Sequence, residues 1–264
     1  MVPTPDRGKG AALNTGVLRA SHEIVVRLDA DTVFEPSTVR RLVEPFAAPS
    51  VGATSGNAKV GNRHGMLGRW QHIEYVMGFN LDRRMYDLLR SMPTVPGAVG
   101  ASRVTALRRA GMMSGDALAE DTDITMALHR AGRDVRYAEH GVAWTEAPRS
   151  LRHLCSSGTA GATAPCRPRG STGTRLSSGG HAGRFGRVGL PLLAVFQILT
   201  PLLAPLIDLL TLYGLVFGDP LLTALAWLGV LAVQGVCAAY AFRLDGEPLR
   251  GCGRCRCSRS CTGR

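Results

Sequence analysis

A chain of 264 residues is long enough for one catalytic domain and further segments, and its net charge of +11 leaves nucleic-acid binding and membrane association open as classes. All seven Cys lie beyond residue 150, which excludes a disulfide framework for the first half and predicts a reduced, cytosolic domain there.

Met1 to Gly10 is polar and predicts no signal peptide. Gly8-Lys9-Gly10-Ala11-Ala12-Leu13-Asn14 opens a helix to about Ala20. Gly-Lys-Gly before a helix can hold a phosphate on backbone N–H groups. The upstream glycine and following Ser/Thr of a P-loop are absent, and a glycine turn with a surface lysine fits the spacing equally. Ile24, Val25, Val26 and Leu28 then make the apolar run expected of a buried parallel strand. It ends in Asp29 and Asp31, followed by Thr32. Ligands of open α/β sheets sit beyond the carboxyl ends of strands, where two carboxylates form a hard oxygen site suited to Mg²⁺ or Mn²⁺. A solvated Asp-x-Asp turn leading into a helix cap is the competing reading.

Glu35-Pro36-Ser37 starts a helix to about Phe46, and Val51 to Asn57 is a short strand. Met66 to Leu89 forms one or two amphipathic helices, with Trp70, Ile73, Met77 and Leu81 as a core-facing stripe. Thr94 to Ala101 is a small-residue loop that lets backbone approach a ligand. Ala119-Glu120-Asp121-Thr122-Asp123 opens a helix through Arg130, capped by Gly132. Three acids in four positions exceed what a helix dipole requires. Val135 to Tyr137 and Gly141 to Trp144 are short strands.

Residues 1–154 therefore form one domain, and 155–187 a basic linker rich in Gly, Ser, Thr, Arg and Pro with no apolar period. Residues 188–242 are almost wholly apolar, in two runs of spanning length from Leu190 to Phe217 and Leu221 to Phe242. Pro191, Pro201 and Pro205 make the first irregular, and Asp208 is costly in lipid unless it faces protein or a polar cavity. Residues 243–264 are a basic, Cys-rich tail. Basic flanks around the hairpin place the domain on the cytoplasmic side of the inner membrane. A nucleic-acid-binding protein ranks last, because the linker arginines have almost no aromatics among them.

By Asp121 the combination of motifs resembles the processive, membrane-embedded family-2 glycosyltransferases, the synthases of cellulose, chitin, hyaluronan and poly-N-acetylglucosamine. The match is carried by Gly8 to Asn14, Asp29-Ala30-Asp31-Thr32, Gln71-His72-Ile73-Glu74-Tyr75, Val95-Pro96-Gly97-Ala98, Ala119 to Asp123 and Thr145-Glu146-Ala147-Pro148, in family order over about residues 7 to 154. The stretch from Ile73 to Arg84 looks most like the poly-N-acetylglucosamine branch. The resemblance implies an α/β, GT-A-like nucleotide-sugar-binding sheet followed by transmembrane helices. It implies that Asp29 and Asp31 bind Mg²⁺ or Mn²⁺ and the diphosphate of a UDP-sugar, with UDP-N-acetylglucosamine the expected donor. It makes Asp121 the general base toward a polysaccharide acceptor, with Glu120 supporting it and Lys9 near the nucleotide. A non-catalytic, membrane-anchored remnant of such an enzyme is the alternative.

Two family parts are missing from the sequence: everything upstream of Gly8, and the Gln-x-x-Arg-Trp motif expected soon after Pro148. One permitted set of codons from Cys155, TGC AGC AGC GGT ACC GCT GGA GCT ACG, read from its third base gives Gln-Gln-Arg-Tyr-Arg-Trp-Ser-Tyr. The same shift around Cys252 to Cys257 gives an apolar Leu-Trp-Ala-Leu-Pro-Leu. The sequence is therefore expected to be a frameshifted fragment with little or no activity of its own, its Cys other than Cys237 arising from the shift. A zinc site at Cys252, Cys255, Cys257 and Cys261 competes with this, but the spacing is irregular and no His is near.

Overall fold

A computed structural model describes residues 9–63, 65–113, 120–146 and 184–247. The linker apart from its last residues, the anticipated place of Gln-x-x-Arg-Trp and the cysteines of the tail lie outside the described residues.

Helix α1 (Lys9–Arg19) leads into β1 (Ile24–Leu28), a short β2 (Val33–Phe34) and α2 (Thr38–Val43). Strand β3 (Val51–Val60) is followed by one continuous helical run, with α3 (Gly65–Glu74), a π-helical stretch (Tyr75–Leu81) and α4 (Asp82–Leu88). Then come β4 (Val99–Arg103), α5 (Val104–Ala110), α6 (Glu120–Arg130) and β5 (Asp134–Thr145). The sheet order is β1-β4-β3-β5-β2, with β3 and β5 parallel and the remaining pairs antiparallel.

Strand β3 has neighbours on both sides and is buried at all ten positions. One apolar cluster, with Leu42, Phe46, Val99 and Ala143, lies under α2. A second, with Tyr86, Met92, Val95, Ala106 and Leu128, lies under α4, α5 and α6. Gly56 is where the strands crowd most, because a Cβ there would fall within van der Waals contact of Val99 and the Gly141 carbonyl. The β3–β5 register slips at that point, so the two short strands read from sequence at 135–144 are one strand with a bulge.

Three expectations change. Strand β1 runs antiparallel to β4, its only partner among the described residues, and is half-buried, with Leu28 58% exposed. An apolar run of five residues does not encode strand direction. The Trp70 stripe packs only in its second half: Met77 and Leu81 are half-buried against Val76, Ala241 and Phe242, whereas Trp70 is 59% and Ile73 42% exposed and Gly68, Gln71, Asn80 and Arg83 are buried. The helical run turns its polar side inward because buried charges wait for it there. Finally, the first apolar helix begins earlier than expected, at Phe185, and ends at Phe217 as expected, while the second runs from Pro220 to Leu244, slightly past both expected limits.

These helices are α7 (Phe185–Phe217) and α8 (Pro220–Leu244), with mean hydropathies of 2.1 and 2.0 and no burial of their apolar windows. Both are long and apolar enough to cross a bilayer. The π-helical stretches Phe185–Gly189 and Ala194–Leu199 precede Pro191 and Pro201, where a wider turn accommodates a ring that lacks a donor. Phe185 is 1% exposed and stacks on His129 of α6 at 4.7 Å, so α7 is docked on the domain from its first turn.

The end of α8 is docked as well. Asp245 accepts from Asn57 at 2.9 Å and Asn80 at 3.3 Å, and lies 3.3 Å from Lys59 Nζ. Lys59 Nζ also donates to Glu247 at 3.2 Å, and Arg63 grips Glu247 through two bonds of 2.8 and 3.0 Å. His72 packs edge-on against Phe242, and burial, then Arg63, holds its pKa below the ordinary value.

Gly56→Ala should lower stability by about 1–3 kcal/mol, the usual cost of overpacking a filled core, read as an earlier thermal transition. Hydrogen bonds and charge from Arg63 and Lys59, outweighing burial, hold the Glu247 carboxyl down at about 2. A carboxylate depressed in the folded state stabilises above its unfolded pKa and loses that contribution as pH falls toward the folded value. Acid titration should therefore loosen the α8 junction between about 4.5 and about 2, and Glu247→Gln should flatten that limb.

Candidate active site

The end of β1, the loop before β4 and the first turn of α6 meet around Arg27. Its guanidinium is 6% exposed on β1. Nη1 donates to Asp121 Oδ1 at 3.0 Å, and Nη2 reaches the Val95 carbonyl at 3.5 Å. The other Asp121 oxygen accepts the Gly97 N–H at 2.9 Å. Burial pulls the Arg27 pKa below its ordinary value, opposed by Asp121 and, more weakly, by Asp29 two residues along the strand.

The loop from Thr94 to Ala98 is stitched to α6 by hydrogen bonds of its own. Val95 N–H donates to Thr125 Oγ1 at 3.0 Å, and that hydroxyl donates to the Asp121 carbonyl at 2.6 Å. Thr122 Oγ1 donates to Thr94 Oγ1 at 3.3 Å. Small residues are required here. A Cβ on Gly100 would press on Val95 and the Pro96 carbonyl, with Arg27 Nη2 next to it.

Asp29 is half-buried, and its carbonyl accepts the Thr32 N–H in a tight turn at 3.1 Å. Asp31 is exposed beside Thr32 and contributes to raising the Tyr75 phenol, which burial raises most. The Asp pair thus ends β1 as expected, with Tyr75 of the π-helical stretch near Asp31. Asp121 sits in the first turn of α6 with its side chain about one-third exposed, while Asp123 is exposed. Lys9 and Glu120 begin α1 and α6, but their side chains lie outside the described residues. Asn14, five residues after Lys9, exchanges two hydrogen bonds with the backbone of Met113, at 2.8 and 2.9 Å. These bonds fix α1 beside the segment leading to α6.

Among the described residues no group of three or more His, Cys, Asp or Glu gathers as a metal cage. Asp29 and Asp31 supply two carboxylates, the donor set of a cation that completes its shell with substrate phosphates and water. The pair fits Mg²⁺ or Mn²⁺ carried by a diphosphate.

Sequence reading did not find Arg27, Asp245 or Glu247. Arg27 interrupts an apolar run two residues before an acid pair, which is the signal that could have marked it.

The family model described as glycosyl transferase family group 2 matches residues 24–244, from the start of β1 to the end of α8. Poly-β-1,6-N-acetyl-D-glucosamine synthases of Staphylococcus epidermidis and Staphylococcus aureus are each 31% identical over 150 residues, 56% of this chain and 36% of theirs. The chain thus spans about a third of the length of these curated relatives, or 36%. A mannosyltransferase of Pyrobaculum calidifontis, solved with GDP-Man and Mn²⁺, matches with a TM-score of 0.48 at 21% identity, over 90% of this chain and 66% of that one. Glucosyl-3-phosphoglycerate synthase of Mycobacterium tuberculosis, solved with Mn²⁺, UDP and phosphoglyceric acid, matches at 0.35 and 20% identity, over 62% and 57%.

Thr125→Val keeps the shape but leaves the Val95 N–H without its acceptor, a loss of about 1–3 kcal/mol for a buried donor. The expected readout is faster hydrogen exchange at the Val95 amide, with the exchange of β3 unchanged.

Proposed function

The chain belongs to glycosyl transferase family group 2, and on that premise we propose that it transfers N-acetylglucosamine from UDP-N-acetylglucosamine, with inversion, to a growing β-linked polysaccharide. The observation that supports this best is the Asp121 carboxylate at the start of α6, held by the Gly97 N–H and by Arg27 of the strand that leads into Asp29 and Asp31. Inverting transfer needs positive charge on the leaving diphosphate and a basic carboxylate at the acceptor hydroxyl. Asp29 and Asp31 would hold Mg²⁺ or Mn²⁺ with the donor diphosphate, where the cation would supply charge neutralisation for the leaving UDP. Asp121 takes the proton of the acceptor hydroxyl on a carboxylate oxygen while Arg27 and the Gly97 N–H keep its plane fixed. Glu120 supports it from the preceding position, and Lys9 lies on the nucleotide side.

Helices α7 and α8 anchor the domain in the inner membrane, with catalysis on the cytoplasmic face. Arg184 and Arg187 precede the apolar part of α7 and Arg243 closes α8, whereas the turn between the helices carries only Asp219. A membrane-anchored, non-catalytic relative is the second reading, and the lack of Gln-x-x-Arg-Trp in the sequence favours it.

Calorimetry of the detergent-solubilised chain should show UDP and UDP-N-acetylglucosamine binding that requires Mn²⁺ and is lost in Asp29→Ala/Asp31→Ala. Polymer synthesis would establish the transfer, and donor binding without synthesis would favour the membrane-anchored, non-catalytic reading. A folded sample that binds no donor would overturn the donor reading.

A further inference from the structure

We infer that Arg27 is a positioning residue for Asp121, tying the strand that carries the acid pair to the helix that carries the base. The inference rests on the reading of Asp121 as the base, and the contact itself can be tested without catalysis. Three observations carry it. Arg27 is buried and, among the described residues, its one direct ion pair is with Asp121 at 3.0 Å. Its other guanidinium nitrogen reaches the Val95 carbonyl, in the same loop whose Gly97 N–H holds the second Asp121 oxygen. The Asp121 carboxylate is thus held from both sides by groups on two different elements.

Asp29 follows two residues after Arg27, just past the end of β1, and its charge acts on the Arg27 guanidinium together with that of Asp121. Arg27 offsets negative charge from both. Lysine in its place keeps the charge but loses the planar fork that spans Asp121 and the loop.

The test replaces Asp121 by a thiol and reads its environment. The full chain carrying Asp121→Cys is compared with versions that also carry Arg27→Met or Arg27→Lys. Each is alkylated with iodoacetamide across pH, and the modification is followed at position 121 by peptide mass spectrometry, which separates it from the native cysteines. The dipole of α6 acts on the thiol in all three proteins, so their differences report position 27 alone. A neighbouring cation favours thiolate, so with arginine present alkylation at pH 7 should be about tenfold faster than with methionine, and lysine should recover part of the difference. Superimposable profiles in the three proteins would overturn the proposal. If the parent chain itself binds no UDP, the donor reading fails while the alkylation profiles still decide whether Arg27 acts on position 121. Thermal melts of Arg27→Met and Arg27→Lys separate a folding defect from a local one.

Discussion

A lysine buried in the central strand of a sheet must find carboxylates or leave the interior. Lys59 is such a residue, with its side chain 10% exposed, and its partners are Asp245 and Glu247 beyond the last turn of α8. This pairing explains much else in the fold. It brings the carboxyl end of a long apolar helix back to β3 and requires Asn57 and Asn80 to turn inward. It also makes the helical run from α3 to α4 present polar side chains to the interior while Trp70 and Ile73 face outward. Removing one partner would strand the other's charge, so the cluster stands or falls as a unit.

The site is organised on the same principle with fewer charges. Asp121 and, more weakly, Asp29 put negative charge at this end of the sheet, and Arg27 is the cation that β1 sets against it. Backbone completes the arrangement. The loop before β4 can lie against that strand because Gly100 has no side chain, and the loop's N–H groups at Val95 and Gly97 are taken up by Thr125 and Asp121. Family membership implies a nucleotide-sugar donor.

Much of this was legible in the sequence where local pattern suffices. The Asp pair at the end of β1, the acidic start of α6 and the two long apolar helices follow from strand, cap and hydropathy signals that span a few residues. What was not legible depends on partners far apart in the chain. Lys59 and Asp245 are 186 positions apart, and nothing near Asp245 marks it as interior. A helical stripe from Trp70 to Leu81 has the spacing of a core face, but spacing cannot tell that buried charges claim the opposite side. Strand direction failed for a related reason, since β1 takes its orientation from β4 across the sheet rather than from its own residues.

The docked end of α8 has a mechanical consequence in a bilayer. Its 25 residues measure about 37 Å at the standard rise, against a hydrocarbon core of about 30 Å. The surplus is little more than one helical turn, and beyond it the chain is already held by β3. With α8 across a bilayer the sheet would have almost no slack above the lipid. A helix adjusts to thinner or thicker membranes by tilting, and that tilt would be handed directly to the strands, so that bilayer thickness would become an input to the attitude of the sheet.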